Sequence, residues 1–167
     1  MTYPPEPWSL RGEAVLSFWI VDGGLLCTAF VDYQPGGVMA YHELLVARPA
    51  RFGVTITQIW VDSEASRDGG RELWAIPKEM ASFDGAHSAR GIASAEFSWP
   101  RRGLRVPARA RTRQGEVVAK LAASGKVAPV RVGWAFDPGG PLARLRGRRP
   151  VVSLAVRELA MRFGPRA

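Results

Sequence analysis

The segment VMAYHELLVA, residues Val38–Ala47, alternates in a pattern that a β-strand would divide between its two faces. One face would carry Val38, Ala40, His42, Leu44 and Val46, and the other Met39, Tyr41, Glu43, Leu45 and Ala47. Glu43 therefore shares a face that is otherwise apolar. His42 is expected to point away from Glu43, so the two side chains are not paired in this interpretation.

Period-two alternation recurs along the rest of the chain and is broken by turn signals such as Asp22-Gly23-Gly24. Further strands are predicted at Gly12–Val21, Leu25–Val31, Val54–Val61, Gly91–Trp99, Leu104–Thr112, Glu116–Ala122, Val127–Phe136 and Val151–Phe163. Many short alternating segments separated by turns indicate a mostly β protein, in the β-rich α+β class.

The alternation stops over Asp62–Phe83, which reads as an irregular insertion. Asp62 or Ser63 can cap a short helix there, Gly69-Gly70 is expected to interrupt it, and Pro77 forces a new start. Such breaks in a sheet protein often carry functional side chains. Lys78 follows the proline among apolar residues and is a candidate for burial, the alternative being a surface lysine on a loop.

The chain has 167 residues, the size of one ordinary domain, and 47% of them are hydrophobic. We therefore expect one domain over residues 1–167. One Cys and two distant His argue against a Cys/His zinc site, and no metal or cofactor is expected. Apolar stretches are of strand length, and the first dozen residues lack the features of a secretory signal. The sequence thus predicts a cytoplasmic protein with no membrane span.

The chain is basic, with 23 Lys and Arg against 15 Asp and Glu. Most of this charge is arginine, concentrated in residues 99–113 and 142–150, which are broken by Gly and Pro. Neither stretch matches a nucleic-acid-binding motif, and no aromatic residues alternate regularly with the arginines as a stacking platform requires. Nucleic acid is therefore not an expected partner, and solvated strand faces and loops explain the charge.

The run GRELWAIPK, residues Gly70–Lys78, closely resembles the GRE and PK signature of the acetoacetate decarboxylase family. Tyr41-His42-Glu43 resembles the Y-x-E strand of that family, and Pro7-Trp8 and Phe163-Gly164 resemble its termini. The resemblance implies an antiparallel β-barrel or cone with one or two short helices, in a protein that forms homo-oligomers. The chain is short for the family, as a compact, divergent member would be.

The resemblance also implies a Schiff-base enzyme in which Lys78 is the nucleophile. Its amine would condense with the ketone of a small β-keto acid or related carbonyl compound, and the iminium would withdraw electrons from the neighbouring bond. The amine must first lose its proton. A lysine with a pKa of about 10.4 is rarely neutral at pH 7, but burial lowers the pKa, and acetoacetate decarboxylase is itself a known case of such activation.

Three positions depart from the family pattern. Glu79 stands where decarboxylases have a second lysine, and it could be a proton shuttle or a surface charge. The arginine that holds the substrate carboxylate falls near Ser9, and Arg11, which lies close by, is the candidate to bind substrate in its place. The first of two acidic residues falls near Thr28, which leaves Glu43 alone. These departures argue against efficient acetoacetate decarboxylation more than against a lysine-based pocket.

Other residues near the signature have two interpretations each. Glu43 is the acid/base group beside the imine or a partner in a buried salt bridge, for example to Arg71. Arg71 and Glu72 are expected to be structural, as an ion pair that holds the insertion to the sheet. Tyr41 and Trp74 are substrate contacts or wall and core. The alternative for the whole chain is a non-catalytic β-barrel that binds a small ligand.

Overall fold

Strands dominate the computed structural model, which describes residues 2–167. One α-helix and one short 3-10 turn accompany eleven strands within these residues. The elements are β1 (Trp8–Val21), β2 (Gly24–Gln34), β3 (Tyr41–Ala50), β4 (Gly53–Val61), α1 (Glu64–Trp74), β5 (Lys78–Met80), β6 (Ser88–Ala89), β7 (Ala93–Glu96), β8 (Leu104–Gln114), β9 (Val117–Pro129), β10 (Gly133–Phe136), the 3-10 turn (Ala143–Leu145) and β11 (Val152–Arg166).

Eight strands form one large, curved sheet in the order β3-β2-β1-β11-β9-β8-β4-β5. An additional pairing joins β3, at one end of this order, to β4, the strand next to the other end. The ring is not strictly closed, because β4 meets β8 through a single residue pair, Val54 with Thr112. The sheet thus confirms the predicted β-rich barrel or cone with a short helix.

Most of the sheet is antiparallel, as expected, but β4 pairs in parallel with β5 and with β8. The helix α1 connects β4 to β5. It brings the chain back beside Ile59, near the end of β4, so β5 runs in the same direction as β4. A separate three-stranded sheet, β10-β7-β6, is antiparallel throughout. None of the helices in residues 2–167 is long and apolar enough to cross a membrane.

The helix α1 runs without a break through Gly69 and Gly70, so the expected interruption is wrong. Both glycines lie where the helix approaches other groups closely. A Cβ at Gly69 would come 2.4 Å from the Trp8 ring, and a Cβ at Gly70 would come 2.8 Å from Cδ of Lys78. Packing therefore outweighs the low helix propensity of glycine here.

The predicted start of the helix is confirmed. The side chain of Ser63 accepts a hydrogen bond from the backbone N–H of Ser66 at 3.2 Å. This cap satisfies one of the free N–H groups of the first turn. The helix ends at Trp74 and is capped by Ala75, whose backbone is left-handed with φ 55°.

The last turn of α1 is held to the sheet by Arg166 on β11 rather than by the expected pair of Arg71 and Glu72. The guanidinium of Arg166 donates to the carbonyl oxygens of Leu73 and of Glu72, the latter at 2.7 Å. The Glu72 carboxylate accepts from the hydroxyl of Tyr3. No ion pair between Arg71 and Glu72 exists in residues 2–167.

The strand β9 is longer than predicted. The sequence suggests separate strands ending at Ala122 and starting at Val127, whereas β9 continues from Val117 to Pro129. The glycine between them, Gly125, is needed for close packing, since a Cβ there would lie 2.5 Å from Cγ1 of Val156. Within the predicted strand Gly91–Trp99, only Ala93–Glu96 (β7) forms a strand.

Two apolar clusters lie on opposite faces of strands β1 to β4, which explains why these strands are buried on both sides. One cluster faces the barrel interior and includes Trp8, Leu10, Tyr33 and Tyr41. The other lies beneath the three-stranded sheet and includes Trp19, Phe30, Leu44, Val46 and Phe136. The predicted division of faces in β3 is therefore confirmed, and it directs Glu43 toward the interior.

Candidate active site

Lys78 is the first residue of β5 and lies directly under α1. Its backbone pairs with Ile59 of β4, and its aliphatic side chain passes close to Gly70, where no side chain intervenes. The residue is only 4% exposed. Pro77 ends the connection from α1, so the strand begins at the lysine itself.

The Lys78 amine lies among three oxygen atoms. It donates to Oγ of Ser66 at 2.8 Å and to the hydroxyl of Tyr41 at 3.3 Å. A carboxylate oxygen of Glu43 lies 3.3 Å away. The amine is also 5.6 Å from the ring centre of Trp8 and 5.1 Å from that of Tyr41. This environment can hold an ammonium ion, and it also supplies groups that can take up its proton.

Glu43 on β3 is buried, and two tyrosines hold its carboxylate in place. The hydroxyl of Tyr33 donates to one carboxylate oxygen at 3.5 Å, and the hydroxyl of Tyr41 donates to the other at 3.5 Å. Tyr33 and Tyr41 are paired across β2 and β3, with ring centres 4.7 Å apart. The acid predicted beside the lysine is thus fixed by neighbouring strands.

Burial dominates the electrostatics of this cluster. It lowers the pKa of Lys78, while the charge of Glu43 and a hydrogen bond to it act in the opposite direction. Burial raises the pKa of Tyr33 and of Tyr41 well above the ordinary value, and Glu43 raises both further. The tyrosines are therefore neutral hydrogen-bond donors at physiological pH, and the lysine is more easily deprotonated than a surface lysine.

The cluster opens into an internal cavity of about 420 Å³. Its lining is overwhelmingly aliphatic and aromatic, and the polar side chains are few: Tyr33, Tyr41, Glu43, Lys78, Thr112 and Ser124. No arginine is among the lining residues in the part of the chain described. A cavity of this size and character is typical of a site for a small, largely apolar molecule.

The structure brings four of the predicted site residues together. Lys78, Glu43, Tyr41 and Trp74 all line the cavity. The indole N–H of Trp74 donates to the Glu6 carboxylate at 2.8 Å, and the ring of Trp74 forms part of the cavity wall.

Other predicted site residues lie away from the amine. Glu79 is exposed and outside the lining, because successive side chains of a strand point to opposite sides. Arg11, predicted to bind substrate, is likewise exposed and does not reach the cavity. Arg71 and Glu72 are exposed on the last turn of α1. Thr28, at the position of the missing acid, accepts a hydrogen bond from the Trp19 indole at 2.9 Å and does not line the cavity.

Sequence reasoning missed two residues of the cluster, Ser66 and Tyr33. Ser66 lies one helical turn before Gly70, so both face Lys78 from the same side of α1. Recognising that the helix continues through its glycines would have revealed this spacing. Tyr33 faces Tyr41 across the β2–β3 hairpin, and fixing the hairpin register from the turn at Gln34–Gly37 would have placed it beside Glu43.

Solved structures that share this fold include two acetoacetate decarboxylases and an enzyme of enduracididine biosynthesis. An acetoacetate decarboxylase from Legionella pneumophila subsp. pneumophila str. Philadelphia 1 superposes with a TM-score of 0.68 at 14% identity, over 99% of this chain and 88% of that one. The enduracididine biosynthesis enzyme MppR, complexed with pyruvate, gives 0.69 at 16% identity over 98% and 90% of the two chains. A further acetoacetate decarboxylase gives 0.61 at 18% identity over 99% and 89%. At identities this low, the superpositions show a shared fold and no more.

The family of the chain is identified from its amino-acid sequence. The family model for acetoacetate decarboxylase (ADC) matches residues 17–130, which include Glu43, Ser66 and Lys78. The chain therefore belongs to the acetoacetate decarboxylase family. No curated protein sequence matches it significantly.

Proposed function

We propose that the chain is a lysine-dependent lyase of the acetoacetate decarboxylase type, which forms a Schiff base between Lys78 and a small β-keto acid or related carbonyl compound. The observation that carries the proposal is the buried amine of Lys78, which lies 3.3 Å from the Glu43 carboxylate and borders an apolar cavity. A lysine is activated as a nucleophile when burial favours its neutral form.

The first chemical step is addition of the neutral amine to the carbonyl carbon. Glu43 first takes a proton from the Lys78 ammonium, which leaves the neutral amine. As the C–N bond forms, Glu43 gives that proton to the carbonyl oxygen, which becomes a hydroxyl, and then takes a second proton from the nitrogen. Glu43 then returns a proton to that hydroxyl, which leaves as water while the nitrogen electron pair forms the C=N bond. Tyr41, which contacts both Lys78 and Glu43, orients the two groups during this exchange.

The iminium is an electron sink for a bond at the adjacent carbon. Loss of carbon dioxide or of a proton there gives an enamine, which is reprotonated and hydrolysed, or adds to a second carbonyl compound. The cavity favours related carbonyl compounds over β-keto acids. Its lining offers no arginine for a substrate carboxylate, and Glu43 would repel a second anion in a site of low polarity.

Borohydride trapping tests the proposal. The protein is incubated with a panel of β-keto acids, ketones and aldehydes, reduced with sodium borohydride and weighed intact by mass spectrometry. Wild type should gain the mass of one reduced adduct, and Lys78→Ala should gain none. Lys120→Arg, at an exposed lysine, is the matched control and should react as wild type does. Absence of any adduct with wild type across the panel would contradict the proposal.

The alternative is a non-catalytic barrel that binds a small carbonyl or apolar ligand. The positions of Glu79 and Arg11 outside the cavity favour it, because the second lysine and the carboxylate clamp of the family have no replacement there. Reversible ligand binding without any borohydride adduct would support this alternative.

The remaining expectations stay predictions. We propose that residues 1–167 act as one domain, that the chain forms a homo-oligomer, and that it is cytoplasmic. Sedimentation equilibrium would give the oligomeric state, and a single cooperative unfolding transition would support one domain.

A further inference from the structure

The cavity is closed at the end that holds Lys78. Trp8 and Trp74 lie there, each 1% exposed, with ring centres 4.7 Å apart. The ring of Phe163 packs against Trp74 at 4.6 Å, and Ile76 is buried in the same cluster. All four residues line the cavity, so they form its floor beside the lysine. A substrate therefore has to approach Lys78 from another side.

The cavity opens at the end away from Lys78. Along β1 the lining residues change from Trp8, which is buried, to Phe18, which is partly exposed. The strand β8 runs opposite to β1, because it is antiparallel to β9, β9 to β11 and β11 to β1. Earlier residues of β8 therefore lie toward the same end as Phe18. There Ala108 and Val106 line the cavity and are exposed, Val106 to 43%.

A missing strand contact accounts for this opening. The strand β4 pairs with β8 only through Val54 and Thr112, and β4 begins at Gly53. Because the register is parallel, the part of β8 that precedes Thr112 extends past the start of β4. In residues 2–167, Val106 therefore has no strand on that side and borders a gap in the wall. Lys78 lies in the opposite direction, because β5 pairs with the later part of β4. The cavity is thus a channel from Lys78 to this gap.

The channel is deep and largely apolar. The residues of β2 that line it are Tyr33, Val31, Ala29 and Cys27. The first of these contacts Glu43 at the closed end. Tyr33 and Cys27 are six residues apart, which is roughly 20 Å of strand and about 15 Å of depth at the usual tilt of barrel strands. In residues 2–167, the only charged side chains of the lining are the pair at the closed end.

We infer that the channel selects an uncharged aldehyde or methyl ketone with one long apolar chain. The carbonyl group lies at the inner end, next to Lys78, and the chain extends along β1, β2 and β8 toward the gap at Val106. An extended chain advances about 1.2 Å per bond, since a residue of three backbone bonds spans at most about 3.6 Å, so about twelve carbon atoms match the depth. The inference rests on the proposed imine chemistry of Lys78 and adds the substrate class to it.

Dependence on chain length tests the inference. Wild type is incubated with the straight-chain aldehydes from propanal to dodecanal, reduced with borohydride and analysed by intact mass. The aldehyde concentration that gives half-maximal trapping should fall by up to about fourfold for each added methylene, as burial of a CH₂ group provides. The gain should level off at about ten to twelve carbon atoms, where the chain approaches solvent.

Variants that narrow the channel should shorten the preferred chain. Ala29→Leu fills space part-way along, so decanal should lose most of its advantage over propanal. Ala108→Phe, at the exposed opening, should reduce the advantage of the longest aldehydes and puts folding less at risk. Ala122→Leu is the matched control, because Ala122 is exposed on β9 and does not line the cavity. It should keep the wild-type preference, and thermal unfolding shows that each variant is folded.

Trapping that does not improve from propanal to decanal in wild type would overturn the inference. So would equal chain-length preference in wild type, Ala29→Leu and Ala108→Phe. Binding of 1-decanol and 1-propanol, which form no imine, separates the inference from the proposed function, and the fluorescence of Trp8 and Trp74 reports it. If no aldehyde is trapped but wild type binds decanol more tightly than Ala29→Leu does, the imine chemistry fails and the channel stands. If aldehydes are trapped equally at all lengths, the imine chemistry stands and the channel fails.

Discussion

The Lys78 amine lies 3.3 Å from the Glu43 carboxylate, and both side chains are buried in an otherwise apolar cavity. Two charges removed from water in this way are costly, and their mutual attraction offsets only part of that cost. A proton transfer from Lys78 to Glu43 removes both charges and leaves a neutral amine beside a carboxylic acid. The pair can therefore pass between a charged resting form and the neutral form that addition to a carbonyl requires.

Glu43→Gln separates the two effects of the carboxylate on Lys78. Glu43 raises the pKa of the lysine against the larger effect of burial, so its removal should lower that pKa further. The acid limb of the rate of imine formation should move to lower pH. The maximal rate should fall by about 10²–10⁴, because the proton acceptor is lost. Rapid-mixing kinetics with an aldehyde over a range of pH measure the position of the acid limb and the maximal rate. Glu79→Gln, at an exposed site, is the control and should leave the pH profile of imine formation unchanged.

Stability should depend on pH through Lys78. Burial lowers the pKa of this lysine in the folded state, so between the folded value and the unfolded value of about 10.4 the unfolded chain binds more protons. The penalty of burying the amine is therefore present at neutral pH and disappears as pH rises through that window.

The double variant Lys78→Met/Glu43→Gln should accordingly be more stable than Glu43→Gln at pH 7, with a difference that shrinks as pH approaches about 10.4. Urea unfolding at a series of pH values measures it. A stability difference between the two variants that grows with pH would contradict the predicted direction of the pH dependence.

Gly70→Ala tests the contact between α1 and the lysine. The new Cβ would lie 2.8 Å from Cδ of Lys78, so the side chain must move away from Ser66 and Glu43. Imine formation should slow by at least about tenfold, a cost of roughly 1.4 kcal/mol in the barrier. Stability should change little, because alanine favours the helix by about 0.5–1 kcal/mol.

Gly69→Ala is the comparison variant for the same helix. Its Cβ would meet the rigid Trp8 ring at 2.4 Å, and it should lower the free energy of unfolding by about 1–3 kcal/mol. Thermal unfolding together with borohydride trapping distinguishes the two glycines. Equal effects of both substitutions on trapping and on stability would contradict this assignment.

The Cys27 thiol also borders the cavity, and burial raises its pKa to about 12. Because the thiolate is the reactive form, Cys27 should react with N-ethylmaleimide at pH 8 about 10³-fold more slowly than an ordinary thiol. Unfolding in urea should restore the ordinary rate. Rapid labelling of the native protein, detected by mass spectrometry, would contradict the raised pKa of the Cys27 thiol.

Local pattern was enough to predict only part of the centre of the site. The alternation of Val38–Ala47 placed Tyr41 and Glu43 on one face, whereas Lys78 was left between burial and a surface loop, and the family resemblance was needed to single it out. The alternation depends on neighbours in sequence, which period and turn chemistry describe well.

Features that depend on contacts between distant segments were not predicted. Gly69 and Gly70 suggested a break by propensity, but their closeness to Trp8 and Lys78 keeps the helix continuous and brings Ser66 to the amine. The burial of Thr112 depends on the parallel pairing of β8 with β4, which no local pattern reveals. Glu79 and Arg11 were carried over from the family signature, and the strand geometry directs both away from the cavity.

Titration of Lys78 tests the account most directly. The chain has three lysines, so NMR of the reductively ¹³C-methylated protein gives few lysine signals, and the signal absent from Lys78→Ala identifies the site residue. We predict that this signal titrates with a pKa clearly below the ordinary lysine value of about 10.4. A pKa at or above that value would show that Glu43 outweighs burial, and would contradict a lysine held ready to lose its proton.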